Sequence, residues 1–429
     1  MRDALRGLTT RGRSFIAAGV AVFIVSLTLV ERDLMRIAIL LLALPLVSAW
    51  VVARTRYRLS STRHLSAART PAGQESSVTL RLDNVSRLPT GLLLIEDRVP
   101  YVLGSRPRFV LDRIEPRARS EVTYQVRSDV RGRYQLGPLA IRLTDPFGMC
   151  ELQRSFAAKD TLIVTPPVEP LPSVRLTGEW AGSGESRQRS LASAGEDDAA
   201  TREYRQGDDL RRVHWRSTAR LGQLMVRREE QPWQSRCTLL LDSRGVGHSG
   251  EGPASSFEWA ITAAASIGVH LVRHGYHVRL ITDTGANVAS AGHDASGVGG
   301  DFEGSLLDAL AVMTPSSNTS CRDAAATLRR GGGDGLLVAV LGSLDPEEVR
   351  LLGRLRHGST VAVAVLLDTV TWSPTGLRST GNDFVGTARL LRASGWRVLE
   401  AQAGNTLSEL WPEAGRRQND IELPVGTGG

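Results

Sequence analysis

The sequence predicts a multidomain protein: a two-helix transmembrane hairpin, an all-β sandwich of immunoglobulin-like type, then a doubly wound α/β domain. Three observations predict it. Two uncharged apolar runs, 15–30 and 37–53, stand almost back to back near the N-terminus. From 57 to 168, short segments of period-two alternation are separated by turn residues. From 236 to 412, apolar strands alternate with segments of helical spacing. A length of 429 residues suits two or three domains, and a hydrophobic share of 41% suffices for real cores, which excludes a wholly disordered chain.

The hairpin comes first, in residues 1–56. At about 1.5 Å per residue each run falls slightly short of a hydrocarbon layer of about 30 Å, and flanking arginines can cover the difference. Glu31-Arg32-Asp33 is the polar connection. Arg2, Arg6, Arg11 and Arg13 precede the spans, and Arg54, Arg56, Arg58 and Arg63 follow them. Positive charge on both flanks puts both ends in the cytoplasm, so the expected location is the cell membrane, multi-pass, with the soluble domains in the cytoplasm. A cleavable signal peptide does not fit, because a second apolar run follows the first directly. The net charge of +7 belongs to this end: residues 1–70 hold eleven arginines against three acids, and the remainder is nearly neutral. That distribution gives no nucleic-acid footprint.

The sandwich is expected over 57–168. Segments 77–83, 121–127 and 139–144 alternate, and Asp83-Asn84, Arg131-Gly-Arg133 and Asp145-Pro-Phe-Gly148 turn the chain. In the last, Asp-Pro starts a turn, Phe147 is expected to plug the end of the sandwich, and Gly148 to take a special backbone angle. Residues 169–194, rich in Pro, Gly and Ser, read as a linker. Cys150, Cys237 and Cys321 are odd in number and widely spaced, which supports no disulfide framework or zinc site; Cys237 reads as a small core residue.

Residues 195–235 form the most distinctive segment. Thr201 to Glu230 reads TREYRQGDDLRRVHWRSTARLGQLMVRREE. Asp208 or Asp209 is placed to cap a helix from Leu210 to about Arg220, Gly222 to end it, and Leu224-Met225-Val226 to form a strand. From Gly195 to Glu230 eight arginines face eight acids. Such balance suits an internal ion-pair network, with Glu203, Asp208, Arg211 and Arg220 as members, or a docking surface anchored by Trp215 and arginines. Asp208 and His214 are near enough in sequence for acid–base work, but no GxSxG, HExxH or GxxxxGK[ST] pattern accompanies them.

Beyond it, strands are expected at 237–242, 277–282, 336–341, 360–367 and 397–401. Helices are expected at 256–273, 302–313, 321–330, 346–355, 383–393 and 406–411, and a disordered tail over 413–429. The set Arg202, Glu203, Tyr204, Gly207, Asp208, Arg211, His214, Trp215 and Arg220 resembles the defining motif of a bacterial family named domain of unknown function 58. The resemblance implies a membrane anchor and a von Willebrand factor A-like α/β domain. It also implies a neighbouring MoxR-type AAA+ ATPase, for which the chain would be a non-enzymatic adaptor or scaffold in assembly or maturation of other proteins. The rival expectation is a membrane-tethered hydrolase or ligand-binding receptor using Asp208, His214 and Asp242. Domains of the A type that bind a divalent cation carry Asp-x-Ser-x-Ser; here the loop is Asp242-Ser243-Arg244-Gly245-Val246. A degenerate site is therefore expected at Asp242 and Ser243, without metal or other cofactor; any small-molecule ligand stays open.

Overall fold

The computed structural model describes residues 7–54, 59–87, 89–90, 92–144, 147–174, 176, 201–204, 213, 215–227, 236–290, 300–330, 335–355, 360–373 and 383–416. The chain divides into two compact units, Met1–Pro166 and Pro167–Gly429.

The first unit opens with helices α1 (Thr10–Leu29) and α2 (Arg32–Arg54), both apolar and long enough to cross a membrane. The Thr9 hydroxyl caps α1, accepting from the Gly12 N–H at 3.2 Å. Gly12, Gly19 and Ser26 recur every seventh residue and are buried, as are Ala38, Ser48 and Ala49 on α2. A Cβ on Gly19 would lie 2.8 Å from Leu42 Cγ, so glycine is what lets the helices approach. Ile24, Leu27, Leu40 and Trp50 point outward.

Ten strands follow among the described residues: β1 (Leu59–Leu65), β2 (Arg69–Pro71), β3 (Glu75–Asn84), β4 (Leu93–Asp97), β5 (Arg108–Leu111), β6 (Arg119–Arg127), β7 (Gly132–Leu136), β8 (Leu139–Thr144), β9 (Glu151–Phe156) and β10 (Asp160–Thr165). They form sheets of order β1-β3-β6, β2-β10-β7 and β5-β4-β8-β9. Along β3 every second residue is buried, from Ser76 to Asn84, as period two requires for a sheet with one covered face. Leu80 and Leu82 of β3 pack against Leu93 and Ile95 of β4 and Leu139, Ile141 and Leu143 of β8. Val78, Val126, Leu136, Leu162 and Val164 make a second cluster.

Two expectations are corrected in this unit. Arg63 is not a free charge flanking the membrane. It lies in β1, its side chain 4% exposed and bound to Asp97 and Asp160, because a guanidinium taken out of water must find carboxylates. Phe147 does not plug the sandwich: it is 58% exposed, and Leu143, Leu93 and their neighbours already fill that core. Gly148 does take a left-handed angle, φ 66. Arg2, Arg6, Arg56, Arg58, Asp145 and Pro146 lie outside the described residues.

The second unit contains β11 (Thr201–Glu203), α3 (Trp215–Leu221), β12 (Met225–Arg227), β13 (Arg236–Leu241), α4 (Ser256–Arg273), β14 (His277–Thr282), β15 (Asn287–Ser290), α5 (Gly300–Ala311), α6 (Arg322–Arg330), β16 (Leu336–Leu341), α7 (Pro346–Gly353), β17 (Val361–Leu367), α8 (Phe384–Ala393), β18 (Arg397–Ala401) and α9 (Leu407–Leu410). Six strands make a mixed sheet of order β15-β14-β13-β16-β17-β18, parallel except for β15. Burial explains the strand sequences. All six residues of β16, LLVAVL, are covered, since helices lie on both faces. Leu239, Val338, Val340 and Val365 face Phe257, Ile261 and Leu271 of α4, Leu306 and Leu310 of α5, and Trp411. Leu240, Ala339, Leu341 and Ala364 face Ala324 of α6, Val349 and Leu352 of α7, and Leu391 of α8.

The short antiparallel β15 was not expected from the sequence; it borders a turn in which Gly285 takes φ 73. Ordered structure also runs past 412, where disorder was expected. A 3-10 turn, Trp411–Gly415, buries Trp411 and Ala414, and Arg397 donates to the Ala414 carbonyl at 2.7 Å. Residues 417–429 lie outside the described residues. Cys150, Cys237 and Cys321 are buried free thiols.

Candidate functional site

The carboxyl ends of β14, β13 and β16, neighbours in the sheet, converge at one place. There the order reverses: β13 pairs with β14 on one side and β16 on the other. Crevices at such switch points are where open α/β sheets hold ligands. Here the place is filled by a side chain of the protein.

Asp242 and Arg244, directly after β13, are both buried. Arg244 Nε donates to Asp242 Oδ1 at 2.8 Å and Nη2 to Oδ2 at 2.8 Å, a bidentate fork. The backbone N–H of Arg244 reaches Oδ1 at 3.1 Å, and that of Gly342 reaches Oδ2 at 3.2 Å. Nη1 donates to Glu348 and to the Thr319 carbonyl at 3.3 Å; Nη2 donates also to the Ser343 carbonyl at 3.0 Å. A guanidinium has five N–H groups, and all five are used. Asp242 accepts four bonds, one for each lone-pair site. Neither group keeps anything for a substrate or an ion.

Neighbouring elements hold this centre. Glu348 is the third residue of α7; it accepts from Cys321 N–H at 3.2 Å and closes a capping box with Asp345. Asp283, after β14, accepts from the Ser243 hydroxyl, from Ser243 N–H at 3.2 Å and from the Ser316 hydroxyl at 2.7 Å. Gly342 is required by contact: Ser343 N–H donates to the Gly247 carbonyl at 2.8 Å, and a Cβ on Gly342 would meet that same oxygen.

Electrostatics follow from burial. Desolvation works against the Arg244 charge, but the hydrogen bonds and charge of Asp242 outweigh it and push the pKa above the usual arginine range. Desolvation pushes the Cys321 thiol up, with the Asp242 charge adding to it. His248 is lowered, first by burial. Its Nε2–H donates to the Asp242 carbonyl at 2.8 Å, so Nδ1 is the acceptor, 3.2 Å from the Ser256 hydroxyl. Its ring stands edge-on to Phe257.

That lowered pKa carries a prediction. The unfolded chain takes up a proton on this residue near pH 6.5, before the folded chain does. The contribution of His248 is therefore intact above about pH 6.5 and is lost below it, at up to about 1.4 kcal/mol per pH unit until the folded pKa is passed. His270, lowered by burial and by His274, acts in the same direction. Denaturant unfolding at pH 7.5 and 5.5 should show a smaller loss for His248→Asn than for the native chain; equal losses would clear His248 of the role.

The expected site residues are distributed as follows. Asp242 and Ser243 are in the centre just described. Val246, at the other missing ligand position, is 65% exposed and away from it. Arg202 and Glu203 lie on β11, which pairs with β12. Tyr204 N–H donates to the Leu224 carbonyl at 2.8 Å. Trp215 opens α3 and is 70% exposed; Arg220 is in its last turn and exposed. Gly222, φ 71, ends α3 as expected. Val213 departs from the expected helix: it bridges Val226 as extended chain, and burial of both β-branched side chains favours that over a helical turn. Gly207, Asp208, Arg211 and His214 lie outside the described residues. The sequence reading missed Asp283, Ser316 and Glu348; the capping pattern Asp345-Pro-Glu-Glu348 was the one local signal for the last.

Comparison with known proteins comes to the same region. A family described as "Protein of unknown function DUF58" matches residues 200–368, from β11 to just past β17. The "Uncharacterized protein YeaD" of Bacillus subtilis is 25% identical over 240 residues, 54% of this chain; the chain spans 56% of that relative. Among solved structures, the CARDB domain of the PF1109 protein of Pyrococcus furiosus has 8% identity and a TM-score of 0.19. It covers 25% of this chain and 90% of its own. The putative ApaA protein of Bordetella pertussis has 13% identity and a TM-score of 0.19, over 25% and 91%. Similarity that low carries no argument.

Proposed function

We propose that this chain is a membrane-anchored cytoplasmic scaffold, a non-enzymatic adaptor that docks a partner protein through the helix headed by Trp215. The observation that carries the reading is the closed centre of the α/β unit. Where an A-type domain would offer a cation and an open ligand position, Arg244 supplies the positive charge and spends every donor internally. The order and parallel pairing of β14-β13-β16-β17-β18 support a von Willebrand factor A-like assignment, and the packed sheets of the first unit support an immunoglobulin-like one. Two apolar helices joined at Val30 support a hairpin anchor in the cell membrane with both ends in the cytoplasm. The resemblance of the motif segment suggests a MoxR-type AAA+ ATPase as the partner. The hydrolase or receptor reading is weakened by Asp242, whose lone pairs are all occupied.

Trp215 is the side chain that separates docking from core. An exposed aromatic anchor carries about 2 kcal/mol or more of binding, about 30-fold in Kd. Trp215→Ala in the full-length chain, captured from detergent-solubilised membranes, should leave the melting temperature unchanged and deplete the ATPase from the eluate about 30-fold. A variant that melts early makes Trp215 a core residue. Undiminished capture removes it from the interface.

A further inference from the structure

We propose that the turn at 147–150, which carries Phe147 and leads into β9, is a lipid-contacting surface, seated in the headgroup layer beside the start of α1. This inference rests on the reading of α1 and α2 as membrane spans and goes beyond it by fixing the β-domain against the bilayer surface.

The loop is bonded to the residues that enter α1. Thr9 N–H donates to the Met149 carbonyl at 2.9 Å, and the Thr9 hydroxyl to the Gly148 carbonyl at 2.7 Å. Glu151 N–H donates to the Gly7 carbonyl at 2.7 Å, and Leu8 pairs with Cys150 as an antiparallel bridge. Residues 7–9 thus form an added piece of β structure on the loop, tied to it directly by hydrogen bonds. Gly12 is buried under Met149; a Cβ there would meet the Met149 carbonyl oxygen and come within 2.8 Å of Leu8 Cδ2.

Depth follows from helix geometry. The apolar run begins at Phe15, five residues after Thr10, so the capped end of α1 lies about 7.5 Å outside the hydrocarbon. The headgroup region is about 5–8 Å thick on each side. Phe147, one residue from the Gly148 carbonyl that Thr9 holds, is at that level and 58% exposed. Arg11 and Arg13 are exposed on the same turn of α1. With Gly19 packed on Leu42, the antiparallel hairpin sets Trp50, 55% exposed, level with Arg11. Aromatic rings for the interfacial layer and arginines for lipid phosphates are the groups a bilayer surface recognises.

The opposite end of the same sheet provides the control. In the β4–β8 register Leu93 faces Leu143 and Asp97 faces Leu139, so the loop after β4, with Tyr101 94% exposed, lies a strand length away from Phe147, about 17–20 Å. The native thiols are buried, so single cysteines added at Phe147→Cys, Tyr101→Cys or Ile24→Cys can be nitroxide-labelled in the full-length chain. The chain is reconstituted in vesicles of phosphatidylcholine and phosphatidylglycerol, and relaxation by oxygen is compared with relaxation by a water-soluble nickel chelate. The label at 147 should favour oxygen several-fold over the label at 101, at a depth short of the label at 24. Adding Gly12→Ala should shift 147 toward the aqueous value and leave 24 in place. A label at 147 as aqueous as that at 101, with 24 deep in lipid, overturns the seating while the spans stand. A label at 24 that is itself aqueous overturns the membrane reading and this inference with it.

Discussion

Replacing Arg244 by alanine should destabilise the α/β unit by about 3–5 kcal/mol, because it leaves Asp242 and Glu348 buried without their cation. For a unit of this size that is a fall of about 6–20 °C in melting temperature. Cys321, whose N–H shares Glu348 with Arg244, should become reactive toward thiol reagents at temperatures where the native chain protects it. Arg244→Lys should recover only part of the loss, since one ammonium cannot reproduce a fork onto Asp242 together with bonds to Glu348, Thr319 and Ser343. Arg244→Ser makes the sharper test. It removes the guanidinium and leaves oxygens of Asp242 and Glu348, with the new hydroxyl, at the place it filled, and oxygen donors are what magnesium takes. Millimolar magnesium should then raise the melting temperature of Arg244→Ser and leave the native chain unmoved. A native chain stabilised by magnesium, or an Arg244→Ala chain that melts normally, would refute the account of this centre.

Arg63→Ala should have an effect of similar size in the first unit. The Arg63 side chain is 4% exposed, binds Asp97 at 3.1 and 2.6 Å and Asp160 at 2.7 Å, and reaches the Leu136 carbonyl at 3.3 Å. Asp97 is wholly buried and also accepts the Tyr124 hydroxyl at 2.7 Å. Burial opposes the Arg63 charge, and Asp97 more than offsets it, so its pKa lies above the usual range. Desolvation raises the Tyr124 hydroxyl, and its bond to Asp97 raises it further. Without Arg63 the Asp97 carboxylate stays in the core unpaired, at about 3–5 kcal/mol. Arg81, whose side chain is 34% exposed and paired with Glu121, is the comparison; Arg81→Ala should cost about 0–1 kcal/mol. Denaturant unfolding of both variants separates the two cases. Equal, small losses would mean that the Arg63 network is not what holds β1, β4 and β10 together.

Both arginines show what a linear reading lacks. Arg63 stands seven residues after Arg56, and by sequence it belongs with the charges behind the second span. Its partners are 34 and 97 residues away. Arg244 was legible as the wrong residue for a cation site. That it closes the site needed Glu348, 104 residues on, and the Ser343 carbonyl, 99 residues on. Phe147 looked like a plug because an aromatic in a turn usually finds a core; here β4 and β8 had filled the core already.

Local pattern decided much of the rest. The apolar runs determined α1 and α2, with Pro45 carried inside α2. Helical spacing placed α4 at Ser256–Arg273, an unbroken apolar run placed β16, and short segments rich in β-branched and aliphatic residues placed β14 and β18 at their observed ends. These elements are written in neighbouring residues, because burial on one face repeats with the period of the backbone. The tertiary structure alone decided which charges are buried together, which aromatic stays outside, and that the chain entering α1 pairs with Cys150. Those outcomes depend on contacts between segments far apart in the chain, where a charge leaves water only if its partner arrives from another strand or helix.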